Sequence, residues 1–274
     1  MRYRLFTIPA LVLTAVVGLS SCSVKDERGG MPSYLRIIFK DGPDGSPAKS
    51  DIYAMNTLST GFDTFRWGRD LSPDSKPDGL LLCVPRGYTR VGAYSGLDSG
   101  DSDEGTIFWE NGVESDSLWA HTSVADCRRE LARDTVLLHK QWCTLSVIAV
   151  NQRGDEGYNF RVEAPYAGMD VLTTEPVKEQ WPYSSLMRLP EGNRYEVRIP
   201  RQKADDKAAM RLFLRIPSGE EVENYPLGDV LEKAGYDWTE EDLKDITLKI
   251  DFVRLVITAV VIDWKEAINI EINL

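Results

Sequence analysis

The chain is poor in the side chains that most enzymes use for catalysis. Its 274 residues include two histidines, His121 and His139, and four cysteines, which form neither a Cys-x-x-Cys pair nor a metal-binding spacing. No Gly-x-Ser-x-Gly turn is present, and a nucleophilic serine or cysteine needs a histidine beside it and a third, orienting group. We therefore predict a protein that is not an enzyme and has no cofactor. A pair of catalytic carboxylates, which requires no local motif, stays open.

Positive charge is also in deficit. The chain has 32 lysines and arginines against 43 aspartates and glutamates, for a formal net charge of −11. An acidic chain repels the phosphates of DNA and RNA, so the composition argues against a nucleic-acid partner. Net charge bears on partners and solubility and does not indicate a fold.

The sequence has a long apolar run at its start, over residues 5–19. This run is shorter than the ~20 residues that span a bilayer. It follows Arg2 and Arg4 and ends in Leu19-Ser20-Ser21-Cys22, an arrangement that resembles a bacterial lipoprotein signal peptide. Cleavage of residues 1–21 would leave Cys22 as the acylated N-terminus, with chains such as palmitate holding the protein on a membrane. An ordinary secretory signal with an incidental cysteine is the alternative.

The segment after the cleavage site, residues 22–33, is polar and glycine-containing, which is typical of a flexible tether. Lys25, Asp26 and Glu27 resemble the acidic export signal of Bacteroidetes surface lipoproteins, which predicts a surface-exposed protein of the outer membrane. A plain solvated linker is the alternative. Removing residues 1–21 leaves 253 residues with a net charge of −13, a length that favours two domains.

Alternation of apolar and polar residues dominates the rest of the chain. It is clear over residues 35–40, 142–150, 210–216 and 246–252, and it predicts half-buried strands. Residues 255–262 are apolar on both faces, which indicates a central strand. Many short strands separated by turns favour antiparallel β-sandwiches with few short helices. We place the boundary near Lys140, between an N-terminal domain (34–140) and a C-terminal domain (141–274).

Several local expectations accompany this assignment. We expect residues 79–84 and 88–95 to pair as a hairpin, residues 165–190 to form a long loop, and residues 227–234 to form a short helix that Gly235 ends. Residues 239–242 resemble a capping box that opens another helical turn. Cys83 and Cys143 lie in apolar, strand-like surroundings, whereas Cys127 lies in a polar stretch and is expected to be exposed.

Two groups of residues are candidate ligand sites. Asp98, Asp101 and Asp103 lie in an acidic, glycine-containing loop that offers oxygen ligands for Ca²⁺, although an ordinary solvated loop has the same composition. Tryptophans in or beside predicted loops offer surfaces for stacking on sugars or for anchoring a partner, and domain core is their alternative role. These tryptophans are Trp67, Trp109, Trp119 and Trp181.

The final strand is the most suggestive structural feature of the sequence. Ile268, Ile270 and Ile272 alternate with Asn269 and other polar residues. Such a strand can pair within its own sheet or add to the sheet edge of another subunit, where backbone hydrogen bonds bind and alternate side chains fill pockets. Both pairings stay open from the sequence.

Short motifs along the chain resemble the FimB-type fimbrial anchor lipoproteins of Bacteroidales. They are Cys22-Ser-Val-Lys-Asp-Glu-Arg28 after the signal, Tyr225-Pro-Leu-Gly228 before a helix ending in Ala234-Gly-Tyr236, Leu243-Lys-Asp-Ile246, and Val261-Ile-Asp-Trp264. Their order along nearly the whole chain is what carries the resemblance. It implies two transthyretin-like β-sandwich domains in tandem, Cys22 as the acylated residue, and a place at the base of a fimbrium.

One departure from the family leaves the exact role open. Relatives often carry a Cys-Pro-Cys-like element where this chain has Met31-Pro32-Ser33. We expect a lipid-anchored protein of the outer membrane that binds fimbrial subunits by strand addition, as an anchor or accessory subunit. A fimbrial tip adhesin and a surface glycan- or ligand-binding lipoprotein are the alternatives.

Overall fold

The computed structural model describes residues 32–40, 51–56, 64–67, 79–98, 100–103, 105–150, 158–191, 193–252, 256–262 and 267–273. Most of these residues lie in strands. The strands are β1 (Ser33–Phe39), β2 (Asp51–Asn56), β3 (Thr64–Trp67), β4 (Leu80–Val84), β5 (Tyr88–Ser95), β6 (Asp101–Asp103), β7 (Thr106–Phe108), β8 (Trp119–Asp126), β9 (Leu131–Val136), β10 (His139–Lys140), β11 (Trp142–Val150), β12 (Asn159–Ala164), β13 (Gly168–Asp170), β14 (Pro176–Val177), β15 (Tyr183–Leu186), β16 (Arg188–Glu191), β17 (Arg194–Pro200), β18 (Arg211–Arg215), β19 (Glu221–Tyr225), β20 (Asp245–Asp251), β21 (Val256–Ile262) and β22 (Ala267–Asn273). Within the described ranges, the helical segments are a 3₁₀ helix at Ala204–Ala209 and an α-helix, α1, at Leu227–Lys233.

The first half of the chain forms two sheets. A three-stranded sheet has the order β4-β1-β9, and a five-stranded sheet has the order β10-β8-β5-β2-β3. Alternation in β1 turns Leu35 and Ile37 inward, where both are fully buried, and leaves Tyr34 half exposed on the other face. The buried side chains between these sheets form a cluster that draws only on the first half of the chain.

The second half also forms two sheets. A six-stranded sheet has the order β16-β17-β11-β20-β21-β22, and a four-stranded sheet has the order β15-β12-β18-β19. The two sheets face each other, because the ring of Phe160 on β12 meets that of Tyr195 on β17 edge to face at 4.9 Å. Helix α1 packs onto the same core through Leu227, Val230 and Leu231. It ends before Gly235 at a φ of +70°, as the sequence predicts.

Seven strands of each half are connected in the same way. In the first half β1 lies between antiparallel β4 and parallel β9, and in the second half β11 lies between antiparallel β17 and parallel β20. The other sheet has the order β3-β2-β5-β8 in the first half and β15-β12-β18-β19 in the second. The chain visits the two sheets in the same sequence each time. This duplication confirms the predicted mainly β class with sandwich-like sheets in tandem.

The two halves share a sheet and part of a core. The fifth sheet, β14-β13-β7-β6, joins strands from both halves, because β7 pairs with β13. The larger buried cluster lies mainly in the second half but includes Tyr94, Ile107 and Trp109 from the first. Sheet membership changes between β10, which pairs with β8, and β11, which starts at Trp142. The halves are therefore packed together rather than merely linked.

Several local expectations were wrong, and each for a physical reason. β4 and β5 do not pair, because the turn between them carries the chain from one sheet to the other. Residues 165–190 contain β13, β14, β15 and the start of β16 rather than one long loop. Residues 239–242 form no helix; the hydroxyl of Thr239 instead donates to Asp237 at 2.7 Å.

The described helices include none that is long and apolar enough to cross a membrane.

The exposure of two cysteines is the reverse of the expectation. Cys83 points outward from β4 and is exposed, whereas Cys127 and Cys143 are buried, and all three thiols are free. Cys127 lies in the turn between β8 and β9, where its N–H donates to the Gly87 carbonyl at 2.7 Å. This bond draws the turn into the core of the first half despite its polar sequence.

Candidate functional site

The residues predicted for lipidation and export precede the described part of the chain. Cys22, Lys25, Asp26 and Glu27 all lie outside the described residues. Their roles therefore stay predictions. The described chain begins at residue 32, one residue before β1.

The predicted terminal strand lies at a sheet edge. β22 is the last strand of the six-stranded sheet and pairs antiparallel with β21. Residues 255–262 were expected to form a central strand, and β21 does lie inside the sheet, between β20 and β22. The edge of β22 that faces away from β21 has no neighbouring strand among the described residues. An open edge of this kind offers backbone N–H and C=O groups to another chain.

The strand register continues the buried face of the sheet out to this edge. One row of neighbouring positions runs across five strands through Val197, Leu145, Ile246, Val261 and Ile268. The first three of these side chains are fully buried. Ile270 and Ile272 occupy the same face, opposite Ala259 and Ile257. The register therefore aligns positions 268, 270 and 272 with buried positions of β11 and β20.

The pair β21–β22 has no counterpart in the described strands of the first half. There the equivalent three-stranded sheet ends at β9, whereas in the second half the sheet continues beyond β20 by two strands. The four-stranded sheet that faces it has two strands fewer. We call β21 and β22 the terminal hairpin. It extends the sheet of the second half with apolar positions on one face and an open edge.

The acidic loop that is a candidate Ca²⁺ site is described only in part, because the side chains of Asp101 and Asp103 lie outside the described part of the structure. Asp98 is exposed, and Asp101 and Asp103 lie two apart on β6. No group of three histidine, cysteine or acidic side chains within the described residues is placed to hold a metal ion. The loop is organised by Asp116, which is buried and accepts hydrogen bonds from the Gly100 N–H at 2.8 Å and from Trp109 Nε1 at 3.3 Å.

Both histidines line one cleft at the junction of the halves, which sequence reasoning did not predict. The cleft has a volume of about 520 Å³. His121 Nδ1 lies 3.1 Å from the Leu137 carbonyl, its Nε2 has no hydrogen-bond partner among the described residues, and burial lowers its pKa. His139 Nδ1 lies 3.2 Å from Asp242. Thr122, the nearest hydroxyl in sequence, donates to the Leu172 carbonyl. Within the described residues, neither histidine hydrogen-bonds to a hydroxyl or a thiol.

Arg201 closes one wall of this cleft by holding a loop of the second half. Its guanidinium donates to the carbonyls of Trp238, Glu240 and Glu241 and to the Gln141 side chain, at 2.7–3.0 Å for all but the Trp238 bond. Burial lowers the pKa of Arg201. Neutral acceptors therefore surround a partly buried cation, and the arrangement fixes the loop rather than forming a reactive centre.

The tryptophans divide into core and surface. Trp109 and Trp119 are buried, so they cannot stack on a sugar at the surface, whereas Trp181 is 47% exposed. The side chain of Trp67 lies outside the described part of the structure. Trp181 is thus the one of the four for which an exposed stacking role is consistent with the described structure.

Comparison with known proteins gives likeness at the level of the fold. The sequence matches no family profile and no curated protein. A protein from Bacteroides thetaiotaomicron, described provisionally as polysaccharide-binding, aligns over 89% of this chain and 98% of its own, with a TM-score of 0.63 and 13% identity. A Bacteroides ovatus protein, described provisionally as an adhesin, aligns over 90% and 97%, with a TM-score of 0.59 and 12% identity. The fimbrial anchor protein Mfa2 from Porphyromonas gingivalis aligns over 86% and 99%, with a TM-score of 0.56 and 12% identity. These structures share the fold of this chain over almost their full lengths.

Proposed function

We propose that this chain is a lipid-anchored protein of the bacterial outer membrane, exposed at the surface, that anchors or assembles fimbriae without catalysing a reaction. Cys22 would carry the lipid, and Lys25, Asp26 and Glu27 would direct export. Two domains, 34–140 and 141–274, would form the body, and fimbrial subunits would be the partners. The sequence motifs of the FimB-type anchors and the fold shared with Mfa2 support this proposal.

The observation that carries the proposal is the terminal hairpin. Its outer strand has no neighbouring strand on its far side among the described residues, and the register aligns Ile268, Ile270 and Ile272 with buried positions of the sheet. A strand from a fimbrial subunit would pair with the edge of β22 and continue the sheet. Backbone hydrogen bonds would then hold the subunit, and the apolar row would select its side chains.

The test compares two neighbouring positions on β22. Ile270→Asp places a charge in the apolar row, whereas Asn269→Asp, the matched control, places the same charge on the opposite face. Each lipidated variant is purified from outer membranes, and the fimbrial subunit that accompanies it is quantified. We expect Ile270→Asp to lose most of the subunit and Asn269→Asp to keep it. Equal recovery with both would contradict strand addition at this edge, and unchanged fimbriae after deletion of the gene would contradict the anchoring role.

A glycan-binding role is the second candidate. It is favoured by the exposed Trp181 and by the description of the Bacteroides thetaiotaomicron structure. Aromatic faces stack on sugar rings, so binding on a glycan array that disappears in Trp181→Ala would favour this role. Binding of no glycan would leave the fimbrial role, as anchor, accessory subunit or tip adhesin.

A further inference from the structure

The outer face of the three-stranded sheet carries basic and apolar side chains and no acidic ones. We call it the cationic face, and its main residues are Tyr34, Arg36, Leu81, Cys83, Leu131 and Arg133. The two remaining outward positions of the sheet, Ile38 and Thr135, are uncharged. This composition is opposite to that of the whole chain, which has a net charge of −11.

The apolar part of the cationic face is open to solvent. Tyr34, Leu81 and Leu131 are 49%, 51% and 47% exposed. Tyr34 lies directly between the other two strands, opposite Cys83 on β4 and Leu131 on β9. Large apolar side chains that adjoin one another on a sheet face and remain this exposed indicate an interaction surface.

The charges of the cationic face lack acidic neighbours on the sheet. Arg36 and Arg133 are register partners on adjacent strands, and like charges placed side by side in a sheet repel each other. The turn before β9 adds Arg128 and Arg129, but these are accompanied by Asp126, which pairs with Arg128 at 2.6 Å, and by Glu130. The excess positive charge therefore lies on the sheet face itself. It fits an anionic partner.

The position of the cationic face in the chain indicates which kind of anionic partner it binds. Its central strand, β1, begins at Ser33, eleven residues after the cysteine predicted to carry the lipid. A chain of that length spans at most about 40 Å when fully extended and averages about 18 Å when flexible. The tether would thus keep the start of β1 within this distance of the membrane surface. Tyrosine and arginine with apolar neighbours are residues suited to a lipid headgroup region.

We propose that the cationic face docks on an anionic lipid surface, so that this protein is oriented on its membrane as well as tethered to it. This inference rests on the lipid anchor of the proposed function. Arg36 and Arg133 bind phosphate groups, and Tyr34, Leu81 and Leu131 enter the headgroup layer. The terminal hairpin lies in the other half of the chain and stays available for a fimbrial subunit. Because the tether keeps the face close to the lipid, weak contacts are sufficient to set the orientation.

Cys83 provides a native probe for this docking. It lies on the cationic face and is exposed, whereas Cys127 and Cys143 are buried, and the sulfur of an acylated Cys22 is blocked. The lipidated protein is placed on vesicles of phosphatidylcholine with one third phosphatidylglycerol, and separately on phosphatidylcholine alone. The rate at which Cys83 reacts with a bulky maleimide is measured on each. We expect a rate roughly tenfold lower on the anionic vesicles, restored by high salt because salt screens the contact.

Two variants control the measurement. The double variant Arg36→Gln/Arg133→Gln, checked for native circular dichroism, should weaken docking by roughly 30-fold and abolish the protection of Cys83. In a Cys83→Ser background, Val222→Cys places a thiol on β19 of the second half, where the native side chain is 45% exposed. That thiol should react equally fast on both kinds of vesicle.

The outcomes separate this inference from the anchoring on which it depends. A protein that floats with both kinds of vesicle but whose Cys83 reacts at equal rates would overturn the docking and leave the anchor intact. A protein that floats with neither would overturn the anchor, and the docking with it. Equal protection of Cys83 and of the Val222→Cys thiol would also overturn the docking, because it would show general crowding at the vesicle surface.

Discussion

Gly92 lies where the two halves of the chain pack against each other, and replacing it tests whether they form one body. It lies on β5 of the first half, facing Val171 of the second. A Cβ atom built on Gly92 would lie 2.5 Å from the Val171 carbonyl oxygen and 3.0 Å from its Cγ1. A contact as short as 2.5 Å is essentially never found for a Cβ atom in a protein. Gly92→Ala therefore forces the two segments apart.

The segment around Val171 has little freedom to retreat. The Val171 N–H donates to the Gly105 carbonyl at 2.8 Å, and the Leu172 carbonyl accepts from Thr122 and from Arg90 Nη1 at 3.4 Å. Overpacking costs about 1–3 kcal/mol, and each hydrogen bond weakened by a retreat costs about 1 kcal/mol. Alanine also reduces the conformational entropy of the unfolded chain, which offsets about 0.5–1 kcal/mol of this cost. We expect a net loss in the free energy of unfolding of about 2–3 kcal/mol.

Urea unfolding followed by circular dichroism measures this loss. A slope of about 2–3 kcal/mol per molar urea converts the expected loss to a midpoint roughly 1 M lower. Val124→Ala on the adjacent strand β8 is the control, because Val124 is 55% exposed and packs little. Its midpoint should stay near that of the native chain. If Gly92→Ala behaves like the control, the close contact between the halves does not exist in solution.

Two further predictions concern titration and thiol chemistry. Because burial lowers the pKa of His121 below its ordinary 6.5, the unfolded chain binds more protons than the folded chain as the pH falls through that value. Stability should therefore decline below about pH 6.5, and His121→Asn should lessen the decline in urea midpoints; an equally steep profile in the variant would refute this assignment. In a Cys22→Ser chain, Cys83 should react with a thiol reagent before Cys127 and Cys143, because the latter are buried and burial raises the pKa of Cys143 to about 12. Mass spectrometry of the labelled native chain identifies the modified residue, and rapid labelling of a buried cysteine would contradict the packing.

The strands that the sequence predicts best are those with one face in a core. β11, β18 and β20 alternate cleanly because successive residues face the core and then the surface. β8 escapes prediction because its polar residues meet protein rather than water: Thr122 donates to Leu172 in the other half, and Ser123 donates to Asp134 on the next strand. An alternating pattern cannot reveal that a polar side chain is partly buried and hydrogen-bonded to a residue distant in the sequence.

The arrangement of elements was less predictable than their existence. A turn at Pro85-Arg86-Gly87 indicates that the chain reverses, but nothing local indicates whether the next strand joins the same sheet or the facing one. β13 and β14 have three and two residues, too few to show a period. The cleft could not be predicted either, because its lining residues are distant in the sequence: His121 and Arg201 are 80 residues apart. The two strands of the terminal hairpin were predicted from their patterns, but their pairing with each other stayed open.

The proposed function depends on a fimbrial subunit pairing with the edge of β22. Hydrogen–deuterium exchange of residues 267–273, measured with and without the fimbrial subunit purified from the same outer membranes, tests it most directly. Strand addition predicts that backbone amides of this segment exchange much more slowly in the complex, because new ladder hydrogen bonds cover the edge. A stable complex in which these amides exchange as fast as in the free protein would contradict the account.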